Sequence, residues 1–360
     1  MNRAELGWAL AVDAAESVPS DVADAESWLA AAREERVAPM LALRWRPLVQ
    51  DPAVREILSQ ALRAAAMQDL MFVAAEQSVV RALNDAGLPF LVLKGSALAR
   101  WLYPQSMLRP RSDIDILLRD HSDLRACRQA LESIGFLGSD VVAPQPQFEE
   151  AFRGRVGDAG MEVDIHWRIT NHVAFADTLH FNELMAASLP LADLNAHGLG
   201  PIHALLHACI HRMSNIQTGA EDHLLWLLDI DLLSRRMTDT DWPQIQSLAV
   251  ERGLAGACAS ALRATAHLLQ TPVSESVLTS LDQAAVDEPF DMTRAASPAY
   301  YAWWSFKLVP WSQRPGYLWQ KLFPNLEYMR TQFPDARRVT LPIYHLARWL
   351  KVAKRFGTRR

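Results

Sequence analysis

Two aspartates spaced i, i+2 in Arg109-Pro-Arg-Ser-Asp-Ile-Asp-Ile-Leu117 are the residues of this chain best suited to do chemistry. In a strand that spacing puts both side chains on one face, and adjacent carboxylates repel unless a cation sits between them. A hard divalent ion such as Mg²⁺ takes oxygen ligands and keeps waters or phosphates in its remaining positions. Upstream, Leu91-Val-Leu-Lys-Gly-Ser96 ends an apolar run in Gly95-Ser96, small residues that let backbone N–H groups approach an anion. Residues 97–102 then read as a helix whose N-terminus would face that anion. Carboxylates that hold a metal opposite a phosphate cradle make the geometry of phosphoryl or nucleotidyl transfer. Downstream, Met161-Glu-Val-Asp-Ile-His-Trp167 alternates cleanly. Met161, Val163, Ile165 and Trp167 share one face, and Glu162, Asp164 and His166 share the other. Three ionisable groups on one strand face belong to an exposed edge or to the wall of a site, and the upstream motifs favour the wall.

Gly-Ser, then Asp-x-Asp, then a third acid on a later strand resembles the signature of the DNA polymerase β nucleotidyltransferase superfamily. Leu93-Lys-Gly-Ser-Ala-Leu98, Tyr103-Pro, Arg109-Pro-x-Ser-Asp-Ile-Asp-Ile-Leu117 and Val163-Asp-Ile-His-Trp167 resemble a bacterial family described as uncharacterised nucleotidyltransferases. Its members often sit beside biosynthetic genes, including those for lasso peptides. The likeness continues through Trp226-Leu-Leu-Asp-Ile-Asp-Leu-Leu-Ser-Arg-Arg236, Asp241-Trp242 and Phe323-Pro-x-x-Glu-Tyr-Met-Arg330, and covers roughly residues 60–355.

The resemblance implies an α+β fold with a polymerase-β-like core, a small mixed sheet with helices. It implies a metal-dependent transfer of an NMP from an NTP to an acceptor, with Asp113, Asp115 and Asp164 holding Mg²⁺ or Mn²⁺ and Asp164 able to take the acceptor's proton. Lys94, Gly95, Ser96, Arg109, Arg111 and His166 are the candidate nucleotide-binding residues. Arg109 matches the family's arginine four residues before the first aspartate, whereas Arg111 reads equally well as a loop charge that neutralises the acids. The acceptor could be a small molecule, a peptide or RNA, and a biosynthetic partner protein could bind. A catalytically silent scaffold on the same fold, or a protein associated with RNA or a membrane surface, are the alternatives. The intact acids argue against the scaffold.

Other residues tempt a different reading. His203, His207 and His211 recur at i, i+4 and i+8 on one helical stripe, but three in line span about 12 Å at ~1.5 Å per residue and cannot share one ion. The stripe therefore faces a nucleotide cleft or packs. Late aromatics, Trp303, Trp304, Trp311 and Trp319 among them, are core residues or an interfacial surface. In the last helix Leu346, Trp349, Leu350 and Val352 form an apolar stripe expected to pack against the C-terminal helices.

The elements that must position this chemistry follow from the pattern of the chain. Residues 1–86 read as helical, with Asp51-Pro52 as cap and first turn and Gly87 as the stop. A strand at 90–93, a strand at 114–118, a helix at 121–134 and a hairpin of 148–156 with 161–169 follow. From Pro201 the pattern is helical again. Three parts result: a helical segment over 1–69, a nucleotidyltransferase core over 70–197 and a helical domain over 198–360. At 360 residues, half hydrophobic and 21% charged, the chain can build a substantial core. A net charge of −5 does not favour nucleic acid as a partner. The ends differ, with eight acids against three bases in residues 1–36 and eight bases without an acid after Asp335. Three dispersed cysteines read as reduced core residues. With neither a signal peptide nor a membrane-length apolar run, a cytoplasmic enzyme is expected.

Overall fold

The computed structural model describes residues 2–11, 18–138, 147–157, 159–291, 294, 297–309 and 311–357. The N-terminal helices are α1 (Arg3–Leu10), α2 (Val22–Glu34), α3 (Ala38–Trp45) and α4 (Pro52–Asp85). Strands β1 (Phe90–Val92), β2 (Asp113–Leu118), β3 (Leu137–Gly138), β4 (Glu149–Val156), β5 (Ala159–His166), β6 (Leu189–Leu191) and β7 (Ala196–Gly198) form one sheet, in the order β3-β4-β5-β2-β1-β7-β6. Between them lie α5 (Lys94–Trp101), α6 (Leu124–Ser133) and α7 (Phe181–Ala186). The chain then continues through α8 (Pro201–Thr218), α9 (Leu224–Ser234), α10 (Asp241–Glu251), α11 (Ala255–Leu269), α12 (Glu275–Ala285), α13 (Pro298–Leu308), α14 (Arg314–Leu322), α15 (Leu326–Gln332) and α16 (Leu341–Gly357). The class is α+β with a mixed sheet: β2 runs parallel to β5, while β1 is antiparallel to β2 and β4 to β5.

The sequence explains how α4 reaches 34 residues. Asp51 caps it by accepting from Ala53 N at 2.7 Å, and Pro52 occupies the first turn, where its missing N–H leaves nothing unpaired. Gly87, at φ +67°, takes the left-handed conformation that ends it. The first half of α4 buries Val54, Leu58 and Leu62 in a cluster shared with α1–α3 and with α8, α9 and α11. Its second half buries Phe72, Ala75, Val79 and Leu83 under the sheet, against Ile114, Ile116, Val163 and Ile165. The division expected between residues 69 and 70 therefore falls inside an unbroken helix. The helices before and after the sheet region also share one apolar cluster.

The sheet's other face carries Leu91, Leu93 and Leu117, packed toward the C-terminal helices, and on that face the polar residues of β2 and β5 meet. Two boundaries shift from expectation. The helix after β1 begins at Lys94 rather than Ala97, and β5 begins at Ala159, which tightens the hairpin turn; Asp158 lies outside the described residues. The cysteines Cys127, Cys209 and Cys258 are free and buried, as expected.

The stripe on α16 is corrected. Its inward side is made by His345, which is buried, and by Trp349, which is half-buried and donates from Nε1 to Leu322 O at 2.8 Å while meeting Phe323 edge-on. Leu346 and Leu350 point outward, because the i, i+4 pair facing α14 is His345 and Trp349. The side chain of Val352 lies outside the described residues, as do those of the last basic residues. Among the described residues no helix is long and apolar enough to cross a membrane.

Candidate active site

Parallel pairing of β2 with β5 builds the site. The register sets Asp115 opposite Asp164 and Asp113 opposite Glu162, so their side chains share one face. Ile114, Ile116, Val163 and Ile165 point the other way and are fully buried. Asp113, Asp115 and Asp164 each offer a ligand atom, all within 4.8 Å of one another. Three carboxylates suit a hard divalent ion, so the donor set fits Mg²⁺ or Mn²⁺.

The acids are held in different states. Burial pushes Asp115 up, but Lys94 and His166 together outweigh it, and the carboxyl stays well below the usual range. Lys94 Nζ lies 2.6 Å and His166 Nε2 3.0 Å from Asp115 Oδ1. Burial and then Asp115 push Asp113 up, although Ser112 Oγ donates to it at 3.1 Å. Burial, then Asp115, push Asp164 up to about 7.

This last shift has a consequence for stability. Between the ordinary aspartate value of 3.8 and about 7, the folded chain keeps a proton on Asp164 that the unfolded chain releases. The group's contribution therefore falls as pH rises through that window and is level above it. In metal-free protein Asp164→Asn should flatten that part of the profile, by on the order of 2 kcal/mol once ~1.4 kcal/mol per unit is discounted for partial exposure. Melting-temperature profiles from pH 4 to 8 that superimpose for parent and variant would show that Asp164 titrates ordinarily.

Lys94 opens α5 in the left-handed region, at φ +47°. The turn places its ammonium over β2 and starts a helix whose first-turn N–H groups have no i−4 partner. Ser96 Oγ, in that turn, is buried and makes no hydrogen bond to the described residues. An orphaned hydroxyl beside free helix-start donors suits a phosphate oxygen. Gly95 has a second reason to be glycine: an added Cβ would lie 2.7 Å from Arg109 Nη1.

Both arginines are engaged elsewhere. Arg109 donates to Asp229 from Nε and, at 2.6 Å, from Nη2, while Tyr103 Oη donates to the same carboxylate at 2.7 Å. Arg111 pairs with Asp69 and lies 3.7 Å from Glu76. The structure thus brings Lys94, His166 and the three aspartates together, keeps Ser96 in the first turn of the helix that Lys94 opens, and ties Arg109 and Arg111 into buried pairs behind Gly95. Glu162, on the same strand face, is engaged with Arg153 at 2.5 Å at the outer end of the hairpin.

A model of the family described as uncharacterised nucleotidyltransferase matches residues 21–270. The chain belongs to that family. Among solved structures, the chain is similar to the antibiotic-resistance factor ANT(2'')-Ia, whose solution structure covers 55% of this chain and 98% of its own at 14% identity and a TM-score of 0.36. No curated protein matches the chain.

In this nucleotidyltransferase the histidine stripe divides. His203 lies 3.3 Å from Glu183, away from the acids. His207 and His211 border a small cavity beside Lys94, with Trp101, Trp226 and Asp229. Burial, then Lys94, push His207 down to about 3, and the same causes hold His211 well below the usual histidine range, so both stay neutral. The group of side chains found able to share a metal among the described residues is the aspartate triad.

Two residues of the site were missed from sequence. Glu149 Oε2 lies 3.2 Å from His166 Nδ1, and β4–β5 pairing sets these two residues opposite each other. Had the hairpin register been drawn from its turn, Glu149 would have emerged. Asp229, the partner of Arg109, lies in the run that opens with Trp226, but nothing local ties it to a loop so far upstream.

Proposed function

We propose that this chain transfers an NMP from an NTP to a nucleophilic acceptor with the help of Mg²⁺ or Mn²⁺. The observation that carries this reading is the cluster of three carboxylates on adjacent parallel strands, met by Lys94 from the start of a helix whose first turn holds the unpartnered Ser96 hydroxyl. Bound ions would neutralise the triphosphate and lower the acceptor's pKa. Asp113, Asp115 and Asp164 would hold them, with Ser96 Oγ and the first-turn N–H groups of α5 receiving phosphate oxygens. Lys94, which neutralises Asp115, adds a positive charge to the same cavity. The acceptor oxygen or nitrogen forms a bond to the α-phosphorus as the bond to the bridging oxygen breaks, and pyrophosphate leaves. Asp164 takes the acceptor's proton. His166, between Asp115 and Glu149, keeps the Asp115 carboxylate oriented. On this reading the protein works in the cytoplasm, in a biosynthetic step.

If nucleotide and ion share ligands, Mg²⁺ and an NTP together should raise the melting temperature by more than the sum of their separate effects. The excess should vanish in Asp113→Asn. A nucleotide shift unaffected by EDTA would place phosphate elsewhere and remove the metal from this reading.

A further inference from the structure

A polar cavity of about 330 Å³ opens over the acids, bounded on the sheet side by Lys94, Asp113, Glu149 and Asp164. Its opposite wall belongs to other elements. His211, Ser214, Asn215 and Thr218 fall at i, i+3, i+4 and i+7 along α8, so one helical face points into the cavity. Tyr301 and Ser305, one turn apart on α13, close the side. The proposed chemistry uses none of these groups.

Their chemistry is uniform: hydroxyls, an amide and a neutral imidazole, without a lysine, arginine or acid. Ser214 is 8% exposed, and its Oγ makes no hydrogen bond to the described residues although it borders the cavity. A buried hydroxyl left unpaired is costly, and this one borders the cavity, so it suits a group brought from outside. Asn215 is already fixed by a bond from Nδ2 to His211 O at 2.8 Å, and Thr218 Oγ1 donates to Ser214 O at 3.1 Å. The face is therefore pre-set.

We infer that the acceptor is a small, hydroxyl-rich, non-anionic molecule, held against α8 by Ser214 with Asn215 and Thr218 beside it, so that one of its hydroxyls reaches Asp164. This rests on the nucleotidyl-transfer reading and narrows its acceptor. Size follows from volume, since cavities of roughly 300–1,000 Å³ hold small ligands and a folded RNA or protein could insert only a protruding end. Charge follows from the sheet side: Lys94, the lysine bordering the cavity, is already paired with Asp115, while Asp113, Glu149 and Asp164 are acids. An anionic acceptor would approach the incoming triphosphate with no unpaired lysine or arginine on the cavity wall to offset the repulsion.

The test uses the full chain with Mg²⁺, each NTP labelled at the α-phosphate, and a bacterial extract passed through an ultrafilter that retains RNA and protein. Ion exchange splits the filtrate into anionic and non-anionic fractions, and the retentate carries RNA and protein. The expected result is labelled product from the non-anionic fraction. Ser214→Ala should raise the half-saturating amount of that fraction about tenfold and leave the NTP dependence unchanged. Thr218→Trp should abolish the product while keeping the melting shift with Mg²⁺ and NTP. Label confined to the retentate or the anionic fraction, no labelled product despite that shift, or an unchanged half-saturation in Ser214→Ala overturns the inference. Loss of the shift itself in the parent protein sinks the nucleotidyl-transfer reading instead.

Discussion

Asp113→Asn should lower NMP transfer by about 10²–10³-fold, the scale of losing one charged group that acts at the transition state. The same change should raise the melting temperature of the metal-free protein. Asp113 is the cleaner test of the two motif aspartates. Burial and the neighbouring Asp115 already make its charge unfavourable, so an amide of equal size relieves repulsion and abandons no buried cation. Asp115→Asn differs, because it would strip Lys94 of its 2.6 Å partner and mix a folding defect with the chemical one. Label transfer from an NTP, read beside thermal unfolding, separates the two effects. Near-parental turnover in Asp113→Asn would take this residue out of the mechanism.

The largest effect on stability is expected at Asp229→Ala. Arg109 and Asp229 are 8% and 4% exposed and joined by two guanidinium nitrogens. Removing the carboxylate leaves a buried charge unpaired, which destabilises by roughly 3–5 kcal/mol, and also leaves the Tyr103 hydroxyl without its acceptor. Because Arg109 Nη1 lies against Gly95, the start of α5 should loosen as well. Replacing both partners, as Arg109→Met with Asp229→Leu, should recover most of the loss, since apolar residues of similar volume substitute well for buried pairs. Chemical denaturation reads both variants. A loss below about 1 kcal/mol in Asp229→Ala would mean that water reaches the guanidinium and the pair is effectively exposed.

The order of elements was readable in this chain because its signals are local. Asp51-Pro52 and Gly87 bound α4, and the alternation from Met161 to Trp167 placed Val163 and Ile165 in the core with Asp164 and His166 on the site face. Residues paired over long separations were not readable. Arg109 carried the right chemistry for a phosphate, but its partner Asp229 comes from a helix far along the chain. Arg111 likewise meets Asp69 and Glu76, on a helix whose apolar period says nothing about the sheet loop it crosses. A charge pattern gives the valence of a side chain, and only packing decides which opposite charge takes it up. The α8 stripe shows the same limit. Its spacing was plain, yet the split between His203 beside Glu183 and His211 over the cavity depends on how α8 crosses the sheet.

The carboxylate cluster spans a parallel ladder, and that fixes when it can come into being during folding. Strands β2 and β5 are roughly fifty residues apart in sequence and antiparallel hairpins cannot join them. α6 and the β4 arm of the β4–β5 hairpin lie between them, so the closure entropy of that whole stretch opposes the meeting of Asp115 and Asp164. The hairpin is local and quick, whereas the β2–β5 contact is long-range and slow. Until β2 and β5 pair, the chain offers a divalent ion two neighbouring aspartates and lacks the third, so full metal capture marks completion of the sheet.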